Sequence, residues 1–111
     1  MFRLSNLQQS ADGSEAWCGC QLDAGNACLN GHFPGRPIFP AVAQLGLLDA
    51  VLSALPLWPS RVTGGTRLKF LRPITPGGSL DVHLVRSSDS AVRFTLRSDG
   101  QVAARGVVTV R

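Results

Sequence analysis

The chain has 111 residues, 44% of them apolar and 16% charged, with a net charge of +4. That length fits one domain over residues 1–111 with one modest core, and the apolar fraction excludes a disordered chain. The longest apolar stretch, Ile38 to Trp58, is broken by Pro40, Gln44, Asp49, Ser53 and Pro56. It reads as a buried helix, not a membrane span. Met1 to Ser10 lacks the basic cluster, apolar run and small-residue cleavage site of a signal peptide, so a cytoplasmic protein is expected.

The first expected strand runs from Glu15 to Leu22, and Asp23-Ala24-Gly25-Asn26 reads as a turn. Asn30 to Pro40, rich in proline and glycine, reads as irregular loop. A helix from Ala41 to Leu55 follows Pro40, which is favoured near a helix start because its missing N–H would be unpaired there. Its apolar residues fall all round the wheel, so burial on most faces is expected. Pro56 and Pro59 stop it. The period then changes to alternation over Thr66–Leu71, Ser79–Ser87, Ala91–Ser98 and Gln101–Val110. Pro76-Gly77-Gly78, Ser88-Asp89 and Asp99-Gly100 separate them, the last a tight-hairpin signal. One long helix followed by an antiparallel meander is an α+β plan, with a sheet wrapped round a central helix.

Cys18, Cys20 and Cys28 are odd in number, and with His32 and His83 they do not reach the spacing of a zinc site. Structural thiols in a reducing compartment are expected, and no metal. The basic residues are scattered along the chain, with no tyrosine and no interleaved aromatics. That argues against a nucleic-acid stacking platform, whereas an acidic partner and a generic basic surface both accommodate the charge. Trp17 and Trp58 read as core or interface aromatics, and His83 as a surface or edge residue of a strand.

Two blocks carry chemistry. Gly31-His32-Phe33-Pro34-Gly35-Arg36-Pro37-Ile38-Phe39-Pro40-Ala41-Val42-Ala43-Gln44-Leu45 resembles the signature of the β-hydroxyacyl-[acyl carrier protein] dehydratases, a G-H-F-P loop leading into the helix of a hot-dog fold. Leu68-Lys69-Phe70-Leu71-Arg72-Pro73-Ile74-Thr75-Pro76-Gly77-Gly78 is similar to the same family's strand and turn after that helix. The resemblance covers about Cys28 to Arg111. The short length and the Val-Ala-Gln-Leu helix start look most like the stand-alone dehydratases of aryl-polyene-type clusters. It implies a hot-dog domain, homodimeric or paired with another hot-dog chain. The implied substrate is an acyl chain on the phosphopantetheine arm of an acyl carrier protein. No metal, organic cofactor, nucleic acid or membrane is implied.

Dehydration needs a base for the α-proton, an acid for the leaving hydroxyl and donors for the enolate-like oxygen. Histidine suits the base role because its pKa lies near neutrality and it can return the proton later. The resemblance assigns that role to His32, held in a loop stiffened by Pro34 and Pro37. It gives the oxyanion contact to the N–H of Ala41, with Phe33, Pro40, Val42 and Gly46 lining the acyl site and Arg36 near the carrier's phosphate. The family carries Glu or Asp on the helix fourteen residues after the histidine; here that position is Gly46. Asp49, one turn further on, and Gln44 are the candidate substitutes. Three readings follow: a dehydratase with a substituted acid, a catalytically impaired subunit that binds an acyl chain or partner, and a thioesterase in which His32 activates water.

Overall fold

The computed structural model describes residues 3–21, 39–75 and 77–111. Six strands and one helix follow in the order β1 (Arg3–Gln9), β2 (Glu15–Gln21), α1 (Ala41–Ala54), β3 (Val62–Phe70), β4 (Ser79–Ser88), β5 (Ala91–Ser98) and β6 (Gln101–Val110). The strands form one antiparallel sheet in the order β1-β2-β4-β5-β6-β3. The α+β plan read from the sequence is the plan observed.

The helix begins directly after Pro40, an extended residue at φ −71°, and ends at Leu55 before Pro56. Gln44, Leu47, Leu48, Val51 and Leu52 are its buried residues, a stripe at helical spacing. Here the structure differs from the expected burial on most faces. The sheet covers that stripe alone, and Ala41, Val42, Gly46, Ser53 and Ala54 remain exposed, Val42 by 75%. A single sheet layer has no second surface to offer the far side of the helix.

The inner face of the sheet is set by alternation. In β2, Ala16, Cys18 and Cys20 are buried; in β4, Leu80, Val82 and Leu84; in β5, Val92, Phe94 and Leu96. Trp17 therefore points outward, 41% exposed, so of the two tryptophans only Trp58 joins the core. Asp99 and Gly100 both have positive φ, 50° and 81°, and Ser98 pairs with Gln101. That is the conformation a two-residue type I′ hairpin requires.

Two strand segments escape the sequence reading. β1 is an edge strand exposed at every position except Leu4, so it has no apolar alternation to detect. The first half of β3 contains Gly64-Gly65, which reads as a breaker. A Cβ at Gly64 would lie 2.9 Å from Thr109 Oγ1, so a side chain there would have to push that hydroxyl aside.

Fully burying a Leu or Val side chain stabilises the fold by about 1.5–3 kcal/mol, and truncation adds the cost of a cavity. Leu48→Ala is expected to lower unfolding free energy by about 2–5 kcal/mol, while Val42→Ala stays within about 0.5 kcal/mol. Urea denaturation of both variants checks the one-sided burial of α1.

Candidate active site

The chain enters α1 under constraint from two sides. Phe39 is buried, its N–H donates to the Ile74 carbonyl at 2.8 Å, and its own carbonyl accepts from Gln44 Nε2 at 3.1 Å. The first bond of the helix, from Gln44 N–H to the Pro40 carbonyl, is 3.0 Å. Pro40 supplies no side-chain cap and the first turn holds no acidic residue. The N–H groups of Ala41, Val42 and Ala43 precede the first intrahelical donor, so among the described residues the positive end of α1 carries no cap. Such an end is suited to an anion or a developing oxyanion. Ala41 and Val42, both exposed, flank it.

Gln44 is 5% exposed, and its Oε1 finds no hydrogen-bond partner among the described residues. A buried acceptor without a donor is costly, so this oxygen is a point at which a hydroxyl or N–H would be held. Two residues on, Gly46 is exposed, and a Cβ built there meets nothing within 4 Å. It borders a hollow of about 480 Å³ shared with Leu45, Asp49, Arg61 and Arg111.

Asp49 lies in the same hollow but is already engaged. Its Oδ1 accepts the Val62 N–H at 2.8 Å, and its carbonyl accepts from Ser53 Oγ at 2.9 Å. The carboxylate thus fixes the start of β3 against α1, a task with no local signal because the partners are thirteen residues apart. The structure brings Gly46 and Asp49 into one hollow and sends Gln44 to the opposite, buried side of the helix. His32, Phe33 and Arg36 lie outside the described residues, as do Cys28, the 23–26 turn and most of the 30–40 loop.

Other reactive groups sit apart from α1. His83 Nε2 is 3.0 Å from Glu15 Oε2, and the ring stacks on Trp17 at 5.6 Å and 13°. Val82 and Leu84 face the core, so His83 belongs to the sheet's outer face. Cys18 and Cys20 are buried thiols on the inner face of β2. Burial, reinforced by Cys20 and Asp81, pushes the Cys18 thiol up to about 11, which keeps it protonated and unreactive near neutrality.

A helix seated on a six-stranded antiparallel sheet is the arrangement of a hot-dog fold. The structure of the dehydratase heterocomplex ApeI:P from Xenorhabdus doucetiae superposes with a TM-score of 0.83 and 26% identity, over 100% of this chain and 99% of that one. A hypothetical thioesterase with coenzyme A from Streptococcus pneumoniae TIGR4 shares the fold at a TM-score of 0.65 and 11% identity, over 98% and 83% of the two chains. Residues 8–107 match the ApeI-like family, described as ApeI dehydratase. The chain belongs to that family. It is also 30% identical over 94 residues to the 3-hydroxyacyl-[acyl-carrier-protein] dehydratase FabZ of Mannheimia succiniciproducens. The match takes in 74% of this chain and 63% of that relative, so the chain spans less than two thirds of that relative's length.

Asp49→Ala is expected to cost about 1–3 kcal/mol by stranding the Val62 N–H, with faster amide exchange at the start of β3. Gly46→Ala is expected to add about 0.5–1 kcal/mol, because the new methyl enters open space and the helix gains propensity. Hydrogen exchange and urea denaturation measure the two effects.

Proposed function

We propose that the chain is a dehydratase acting on β-hydroxyacyl thioesters carried by acyl carrier protein. The observation that carries this reading is the uncapped N-terminus of α1, which in sequence directly follows the His32 loop of a dehydratase family member. His32 takes the α-proton, and the electron pair forms the Cα–Cβ double bond as the β-hydroxyl departs. The thioester oxygen, carrying developing negative charge, accepts from the Ala41 N–H at the positive end of the helix. Phe33, Pro40 and Val42 line the acyl chain, Arg36 approaches the carrier's phosphate, and no metal or organic cofactor takes part.

The proton for the leaving hydroxyl is the unusual step, because Gly46 has no side chain to give it. His32 itself can return the proton it took, with Gln44 holding the hydroxyl in place. Asp49 contributes only by giving up its bond to Val62. A second reading is favoured by the open space at Gly46: another hot-dog chain reaches into that hollow and supplies the carboxylate across the interface. The Xenorhabdus doucetiae relative is itself described as a heterocomplex. In that reading this chain alone is an impaired, binding subunit. A thioesterase ranks third.

Turnover of a β-hydroxyacyl or enoyl thioester on acyl carrier protein separates them. Wild type is expected to be active, and His32→Ala to lose about 10²–10⁴-fold. An inactive wild type that Gly46→Glu awakens points to the impaired subunit. Release of free thiol without double-bond chemistry points to hydrolysis.

A further inference from the structure

A hollow of about 660 Å³ lies on the outer face of the sheet, across from α1, and reaches from β1 to β5. Register sets its side chains in two neighbouring rows. Trp17 stands opposite His83, and two residues along the strands Gly19 stands opposite Asp81, which in turn faces Arg97. Two residues of strand span about 7 Å. His83 Nε2 lies 3.0 Å from Glu15 Oε2, which fixes the imidazole, and Trp17 stacks on it as a flat wall 41% exposed. Gly19 leaves the floor bare; a Cβ there would lie 2.9 Å from Ser5 Oγ. On the remaining side β1 shifts register between Ser5 and Gln8, and Asn6, at φ 52°, lines the hollow. A bulge of this kind re-aims a side chain.

Asp81 and Arg97 are the unusual pair. The ladder sets them directly opposite and both are exposed, yet neither makes a side-chain hydrogen bond or an ion pair among the described residues. Opposed residues have Cβ atoms about 4.5–5.5 Å apart. Two open charges of opposite sign at that spacing complement a molecule that carries an ammonium and a carboxylate on one carbon. The aromatic wall, one row away, is within reach of an aryl-methyl group on the same carbon. We propose that this hollow binds a free aromatic α-amino acid. Its ammonium donates to Asp81, its carboxylate accepts a bidentate contact from Arg97, and its ring lies against Trp17. A nucleotide would bring its phosphate against Asp81, a sugar would leave both charges without a counter-charge, and a plain acyl chain would use neither. The site stands on the opposite side of the sheet from α1 and does not rest on the dehydratase reading.

The test is a two-dimensional NMR titration of the backbone amides with L-phenylalanine and three molecules that each lack one group. Phenylacetate has no ammonium, 2-phenylethylamine no carboxylate and glycine no ring. L-Phenylalanine is expected to shift the amides of residues 17–19 and 81–83 and the Trp17 indole, saturating with a Kd on the order of 1 mM for so open a site. Each truncated molecule should bind about tenfold or more weakly. Asp81→Asn and Arg97→Gln should each weaken L-phenylalanine by a similar factor, while Arg93→Gln, on the same face but outside the hollow, binds as wild type does. Shifts that do not saturate, equal affinity for L-phenylalanine and glycine, or shifts centred on α1 overturn the proposal. So does tighter binding of guanosine monophosphate at these residues. If a variant does not fold, the four molecules titrated against wild type decide the question alone. Because the readout is binding, a wild type without dehydratase turnover leaves this result unchanged.

Discussion

The seating of α1 depends on a buried amide. Gln44 sits in an otherwise apolar stripe, and its Nε2 holds the carbonyl of Phe39, whose N–H is in turn held by Ile74. One side chain thereby ties the end of the loop, the start of the helix and the β3–β4 connection together. A leucine at 44 would bury as well but would leave the Phe39 carbonyl without that donor. The cost is the unpartnered Oε1. Fixing the entry of the chain at Phe39 also leaves the first turn uncapped, because Pro40 has no side-chain oxygen to fold back over it. Rigid entry and open terminus are consequences of the same residues.

Those residues were partly legible. The helix and the strands β4 to β6 follow from periodicity and turn chemistry, since each has one face buried and a recognisable punctuation. β1 was not legible because an edge strand with one inward residue has no pattern, and the start of β3 was hidden by a glycine pair that reads as a breaker. The candidate site divides in the same way. His32 and Gly46 enter through the resemblance of their segment to the dehydratase family. The engagement of Asp49 with Val62 and the gathering of Trp17, Asp81, His83 and Arg97 into one hollow are products of pairing between distant segments. Local sequence contains no record of either.

The one-sided burial of α1 bears on how the molecule works. Leu47, Leu48, Val51 and Leu52 reach the sheet, while Val42 and Gly46 face away from it, along the same side as the hollow shared with Arg61 and Arg111. β3, which borders that hollow through Val62 and Thr63, is also an edge of the sheet among the described residues. An apolar helix face beside an open strand edge is a surface that isolated chains rarely leave uncovered. A second hot-dog chain, of the same or a different sequence, would cover both features in one contact.

This geometry changes what the glycine at 46 means. Had Gly46 been packed against a neighbour, it would read as a structural accommodation, and restoring a carboxylate would clash. With open space around it, nothing among the described residues requires glycine there. The carboxylate one turn along is no substitute in place, because its Oδ1 holds β3 to the helix. Moving it toward a substrate would strand the Val62 N–H and loosen the strand that borders the same hollow. Catalysis by Asp49 would therefore weaken the site it serves. The two routes that leave the fold intact are a histidine that both takes and returns the proton, and an acid presented from another chain into the space over Gly46.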